Sequence, residues 1–302
     1  MENLKESLEM LKALSDGMAD AVEKAGTFVV RVNSRRRRGA SGVVRGADTV
    51  LMADHSLQRE EGITVEKGDG RKLPARVLGR DPASDLALLE VEGLGGEVAA
   101  ASEEPARVGQ ISLAVGRPGR EGLRAGFGVV SAVGRSLRVG RGTMMERYVQ
   151  TEATPYPGLG GGPLIDVHGN VLGVITAGMM RGITLAVPTD VAWQVAETLE
   201  TQGHVKRGYL GILSQPVNLS AAQRTEGRDR GLLIVGVEEG SPAGRGGLLT
   251  GDILVGLDGR AVEDTDELQA LLTGERVGKE VEVEVIRGGE PHAARLTIGQ
   301  RG

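Results

Sequence analysis

Glycine punctuates this chain: 48 of its 302 residues are glycine, falling between short runs of Val, Leu, Ile and Ala and following no collagen-like period. Glycine enters the left-handed region that tight turns demand without steric cost, so this spacing describes many short strands joined by sharp bends. Aromatic residues make up 2% of the chain and hydrophobic residues 40%, so the cores must be packed from aliphatic side chains. From Phe28 to Val91, β-branched runs alternate with turn signals, among them Asp69-Gly70, a favoured hairpin dipeptide. A second set runs from Val108 to Val187, with Gly169-Asn170 ahead of Val171-Leu172-Gly173-Val174-Ile175. Two such sets predict two small packed β-barrels with a cleft between them.

Three segments depart from this pattern. Leu4, Leu8, Leu11, Leu14, Met18 and Val22 recur at steps of three and four, which predicts an amphipathic helix over 1–24. Its apolar face can pack on its own barrel or against sister subunits. After the barrels, over 25–202, Thr189 is expected to cap a helix bearing Ala192, Val195, Ala196 and Leu199, which Gly203 ends. Residues 203–207 read as a linker, and 208–302 as a separate module. There Ser241-Pro242 opens one helix, and Asp264 with Glu267 opens a second carrying Leu268, Leu271 and Leu272. Val281, Val283 and Val285 alternate with glutamates as a half-buried strand.

Bulk properties exclude several functions. A net charge of −5 argues against a general nucleic-acid binder. Absence of cysteine excludes disulfides, and no run nears the roughly 18 apolar residues of a membrane span. Met1-Glu2-Asn3-Leu4-Lys5-Glu6 lacks a basic, then apolar, leader, so a cytoplasmic protein is expected as written. A chain trimmed of its leader would read the same and would work in the periplasm or outside the cell. Arg35-Arg36-Arg37-Arg38 reads as a solvated hairpin tip, with an anionic surface as the other use. His168, His204 and His292 have no neighbours that suggest a metal site.

The residues that bear on chemistry come in a telling order. His55 lies in Met52-Ala53-Asp54-His55, Asp85 in Ser84-Asp85-Leu86-Ala87-Leu88, and a glycine-rich turn follows at Gly158-Leu159-Gly160-Gly161-Gly162-Pro163. Base, orienting acid, then turn is the order of chymotrypsin-type triads, in which a serine stands two residues before the Gly-Pro pair. Here that residue is Gly160, and no serine occurs between Ser136 and Ser214. Thr154 is placed too early in the turn, and the Tyr156 phenol, with an ordinary pKa of about 10, is a weak attacker. In subtilisin, removing the serine alone costs about 10⁶-fold in turnover.

Further stretches carry a resemblance: Val29-Val30-Arg31-Val32, Ala40-Ser41-Gly42-Val43-Val44, Ala114-Val115-Gly116-Arg117-Pro118, Gly126-Phe127-Gly128-Val129-Val130-Ser131 and Leu172-Gly173-Val174-Ile175. With the His55, Asp85 and glycine-turn segments, the chain resembles the HtrA (DegP-like) family over roughly 20–300. The resemblance implies a trypsin-like double β-barrel followed by a PDZ domain, with His55 and Asp85 catalytic and Gly160 at the nucleophile position. It further implies oxyanion amides at Gly158 and Gly160 and a specificity pocket at Thr154 and Thr176. In the PDZ domain, Gly208-Tyr209-Leu210-Gly211-Ile212 would be the carboxylate loop. Leu213 would begin the strand that pairs with a C-terminal peptide, and Leu268, Leu271 and Leu272 would wall its pocket or serve as plain core. The Val174-Ile175-Thr176-Ala177 strand would pair with substrate in the cleft or be an ordinary barrel strand. No cofactor is implied; a homotrimer is. The expectation is a pseudoprotease that binds peptides or unfolded polypeptides without efficient cleavage, the alternative being an HtrA-type serine endopeptidase in protein quality control.

Overall fold

The structure, a computed structural model, describes residues 2–34, 39–119, 121–138, 144–154, 156–176, 182–204, 207–220, 223–224, 229–272 and 276–301. The Arg35-Arg36-Arg37-Arg38 run, Ala177, and Val205 and Lys206 of the expected linker lie outside them. The chain forms two compact units, residues 1–205 and 206–302.

In the first unit, β1 (Val29–Asn33), β2 (Ala40–Gly46), β3 (Thr49–Ala53), β4 (Ile63–Glu66), β5 (Lys72–Asp81) and β6 (Leu86–Glu90) close a barrel in the order β1-β2-β3-β6-β5-β4. A second barrel closes from β7 (Ile111–Gly119), β8 (Gly122–Arg138), β9 (Met144–Thr151), β10 (Pro163–Ile165), β11 (Val171–Ile175) and β12 (Thr184–Pro188), in the order β10-β11-β12-β9-β8-β7. Side-chain alternation builds both. In β4, Ile63 and Val65 are buried while Thr64 and Glu66 are half-exposed. Val30, Val32, Val50, Met52 and Leu89 fill the first core, and Val130, Leu164, Ile175 and Ala186 the second. Each large aliphatic side chain so buried contributes about 1.5–3 kcal/mol. The hairpin at Asp69-Gly70 forms, but with a three-residue loop, 68–70, closed between Lys67 and Arg71 rather than a two-residue turn; Gly70 sits at φ 84° and the Asp69 carboxylate accepts from the Arg71 amide.

Helix α1 (Glu2–Gly26) packs on the barrel by its last turns alone. Ala21 and Ala25 are buried, and Met18 and Val22 lie against the first core. Leu4, Leu8 and Leu11 are 66%, 57% and 63% exposed. Helix α2 (Thr189–Gln202) packs against strands of both barrels, with the Arg45 guanidinium 5.3 Å above the Trp193 ring. Thr189 does not cap it: Pro188 holds that position, and the Thr189 hydroxyl donates to the Val171 carbonyl instead. Gly203 ends α2 at φ 76°, as expected.

In the second unit, β14 (Ile212–Asn218), β15 (Arg230–Val237), β16 (Ile253–Leu257), β18 (Glu280–Arg287) and β19 (Glu290–Thr297) form one antiparallel sheet in that order. Strand β13 (Arg207–Tyr209) pairs with β20 (Gly299–Arg301), and β17 (Arg260–Ala261) with β16. The Ser241 hydroxyl caps α3 (Pro242–Arg245) by accepting from the Gly244 amide. Asp264 accepts from the Glu267 amide at the start of α4 (Thr265–Leu271), and Glu267 reaches back to the Glu263 amide. Leu268, Leu271 and Leu272 are buried with Leu232, Leu254 and Val283.

An ion pair between the buried Asp252 carboxylate and the half-exposed Arg287 guanidinium joins the start of β16 to the end of β18. Arg287 donates from Nε and Nη2 to both Asp252 oxygens at 2.7–2.8 Å, and Asp252 also accepts from the Leu249 amide. The Arg287 hydrogen bonds hold the Asp252 carboxyl below the usual carboxylate range against the opposing effect of burial. A folded-state pKa below the unfolded one stabilises above about pH 4 and loses that contribution as pH falls through the folded value. Asp252→Asn should therefore lower the melting temperature at pH 7, with a gap to wild type that closes below about pH 4. Thermal melts of the full chain from pH 3 to 7 check this; a gap independent of pH would contradict it.

Candidate active site

His55 sits on a single 3₁₀ turn, Asp54–Ser56, at the end of β3, and Asp85 lies just before β6. The pairing of β3 with β6 brings the two together. In the connection after β5, the Asp81 carboxylate accepts from the Ser84 hydroxyl (2.6 Å) and amide (3.3 Å). The chain then turns through Asp85 in the left-handed region, φ 57°, a conformation Asp tolerates better than most residues. Asp85 Oδ1 accepts the His55 amide at 2.8 Å, and Oδ2 lies 2.7 Å from His55 Nδ1. This directs the Nδ1 proton to the carboxylate and leaves Nε2 as the acceptor. Arg80, bonded to both Asp54 (2.5 Å) and Glu60 (2.9 Å), ties the His55 turn to β5.

The second barrel supplies Thr176 and the glycine turn. Thr176, expected in a specificity pocket, is buried, and its hydroxyl donates to Asp85 Oδ2 at 2.6 Å. Thr154 is exposed and flanks Tyr156, whose hydroxyl donates to the Ala125 carbonyl. Within the turn, Leu159 is fully buried in the second core. The Ser41 hydroxyl donates to the Gly158 carbonyl (2.8 Å) and accepts from the Arg117 amide (2.9 Å). Gly161, at φ 88°, and Gly162 are dictated by crowding: a Cβ there would lie 2.3 Å from the Ser41 carbonyl and 2.2 Å from that of Val115. A Cβ on Gly160 would stand 3.3 Å from His55 Nε2, so residue 160 does face the imidazole. The Leu159, Gly161 and Gly162 amides donate to backbone carbonyls, whereas among the described residues those of Gly158 and Gly160 donate to none. Those two amides are the ones that the resemblance assigns to an oxyanion hole.

Sequence reasoning missed one group. Ser56 Oγ lies 3.3 Å from His55 Nε2 and 3.4 Å from where a Gly160 Cβ would be. The signal was a hydroxyl next to the base in the chain, while replacements were sought around the turn.

In the second unit, Gly208 donates to the Leu272 carbonyl at 2.9 Å, and Leu210 is buried. Gly211 adopts φ 80° with Ser241 against it, where a Cβ would clash at 2.2 Å. Among the described residues, the Leu210 and Gly211 amides donate to no acceptor. The Tyr209 hydroxyl donates to Glu238. Ile212 is half-buried, and Leu213, 71% exposed, lies at the start of β14 on the open edge of the sheet. Pro216 of that strand has no amide to offer a partner.

Comparison with known proteins agrees with this geometry. Residues 40–174 match the trypsin-like peptidase domain family and 208–298 the PDZ domain family. A probable periplasmic serine endoprotease, DegP-like, of Ectopseudomonas mendocina is 36% identical over 268 residues, 86% of this chain and 56% of the relative. A probable periplasmic serine protease do/HhoA-like of Haemophilus influenzae is 32% identical over 277 residues, 88% of this chain and 59% of the relative. The chain thus spans a little over half the length of these curated relatives. Among solved structures, the HtrA-type protease AlgW with a decapeptide aligns at TM-score 0.82 and 27% identity, covering 94% of this chain and 99% of AlgW. The serine endoprotease from Yersinia pestis aligns at TM-score 0.78 and 27% identity, covering 94% and 98%. The chain belongs to the HtrA/DegP-like family, a trypsin-like domain followed by a PDZ domain.

The turn's glycines can be told apart by substitution. Gly161→Ala should cost more than the roughly 1–3 kcal/mol of left-handed strain, because its Cβ also meets backbone. Gly70→Ala, at φ 84° in open space, should show the strain alone. Urea unfolding measures both; equal losses would contradict the crowding argument.

Proposed function

We propose that this protein is an HtrA-type serine endopeptidase that acts on unfolded polypeptide, with a PDZ domain that takes C-terminal peptides. The observation that carries this reading is the Asp85–His55 pair. A buried carboxylate accepts three hydrogen bonds, two from His55 and one from the facing barrel, and the imidazole is left 36% exposed with Nε2 on the side away from the carboxylate. This is the arrangement a general base requires. The named activity of the relatives supports it, as does peptide bound to the AlgW structure. The relatives' names also place them in the periplasm, where an exported chain of this kind would work. In the second unit, the amides of Leu210 and Gly211, which donate to no acceptor among the described residues, suit a terminal carboxylate, and the edge strand from Leu213 suits an added strand.

Gly160 favours a second reading, a pseudoprotease that holds polypeptide without cutting it. Casein degradation by sequence-verified protein separates the two. The endopeptidase reading expects slow cleavage that falls by about 10²-fold or more in His55→Ala. Holding without cutting expects none from wild type and a gain on Gly160→Ser.

The exposed Leu4, Leu8 and Leu11 support a homo-oligomer built through α1. Leu8→Glu with Leu11→Glu should shift the protein towards monomer in light scattering while leaving its melting temperature within a few degrees. An unchanged mass would contradict assembly through this face.

A further inference from the structure

We propose that Ser56 is the nucleophile of this site, its hydroxyl taking over the role that residue 160 cannot perform. The inference rests on the endopeptidase reading for its substrate, though the reactivity of the hydroxyl can be established separately. Ser56 Oγ lies 3.3 Å from His55 Nε2, on the ring nitrogen opposite the one bonded to Asp85. With Nδ1 donating to the carboxylate, Nε2 accepts from a hydroxyl, and Ser56 supplies one. Asp85, His55 and Ser56 therefore form a continuous acid–base–hydroxyl relay without any contribution from the glycine turn. The 3.3 Å separation is loose for an O–H···N bond, as such contacts often are before substrate is bound.

Placement supports the same conclusion. Ser56 Oγ is 3.4 Å from the point a Gly160 Cβ would occupy, so it borders the space where a side chain at 160 would stand. Ser56 itself is held from behind, its carbonyl accepting the Ser34 hydroxyl at 2.8 Å, and its residue is buried. A Cβ at 160 would sit 3.2–3.3 Å from the His55 ring and 3.4 Å from Ser56 Oγ, so glycine there leaves the hydroxyl the widest approach to a carbonyl carbon. Glycine at 160 and serine at 56 are complementary features of one site.

In the reaction, Ser56 Oγ bonds to the carbonyl carbon while its proton passes to His55 Nε2. The C–N bond of the tetrahedral adduct breaks, His55 returns the proton to the leaving amine, and an ester to Ser56 remains. Water, deprotonated by His55, adds to that ester; the C–O bond to Ser56 breaks and Oγ recovers its proton.

The test is covalent labelling of the full chain with a fluorophosphonate, followed by peptide mapping, alongside casein degradation by the same preparations. We expect one phosphonylated site, Ser56, with labelling reduced at least 100-fold in Ser56→Ala and His55→Ala. Ser56→Cys, which keeps the shape of the site, should exchange fluorophosphonate sensitivity for iodoacetamide alkylation that His55→Ala slows; a serine with a purely structural role would give no such exchange. Wild type without label at Ser56, or Ser56→Ala labelled as well as wild type, overturns the proposal. Casein cleavage that survives Ser56→Ala also overturns it and leaves the endopeptidase reading standing. Label on Ser56 with casein intact upholds the reactive hydroxyl and sinks the endopeptidase reading.

Discussion

One buried carboxylate organises the trypsin-like unit. Asp85 is almost wholly removed from water, and an ion so placed is tolerated only where hydrogen bonds replace its hydration. Three donors do so: the amide and ring of His55 from the first barrel, and the Thr176 hydroxyl from the second. Each barrel is therefore needed to satisfy the same anion, which couples barrel docking to the orientation of the imidazole. The geometry of the His55–Asp85 pair follows from the same polar contacts that join the two barrels. Removing one of these donors would leave the buried carboxylate short of a hydrogen bond, at a cost of about 1–3 kcal/mol or more.

The glycine turn is held independently of the residue that would act in it. Leu159 anchors the turn in the second core, and Ser41 bridges the Gly158 carbonyl to the Arg117 amide. Gly161 and Gly162 are dictated by backbone crowding. None of these restraints involves a side chain at 160. The turn can therefore keep its form whether or not a hydroxyl stands there.

Glycine spacing and side-chain alternation made the two barrels and the second module legible, because turns and strand faces are local properties. His55, Asp85 and residue 160 were legible as a set through their order, and the structure brings them together. What escaped was decided by tertiary contact. Thr176 bonds Asp85 across the barrels, a distance of 91 residues in sequence. Thr189 spends its hydroxyl on Val171 because β11 passes within reach, which no capping rule foresees. The periodicity of α1 predicted an apolar stripe correctly, but which half of it meets the barrel depends on where the barrel ends. Leu268, Leu271 and Leu272 read as groove wall or as core, and their burial with Leu232, Leu254 and Val283 became visible only in the folded chain. Ser56 is the instructive case: its neighbour His55 was found, yet one 3₁₀ turn folds the hydroxyl back onto the ring.

The position of the attacking oxygen sets the pace of any chemistry here. In a trypsin-like site the nucleophile and one oxyanion donor belong to the same residue, so an acyl group bonded to that oxygen is aligned with the hole by covalent geometry. An acyl group on Ser56 would be bonded to the first barrel while the Gly158 and Gly160 amides belong to the second, and alignment would depend on the docking of the two. A misplaced oxyanion donor costs about 10²–10³-fold in rate. Such a site can be correctly assembled around Asp85, chemically competent through His55, and still slow. On the proposal that Ser56 attacks, slow turnover would lengthen the time a bound polypeptide spends in the cleft, and cleavage and retention would then be graded outcomes of one geometry.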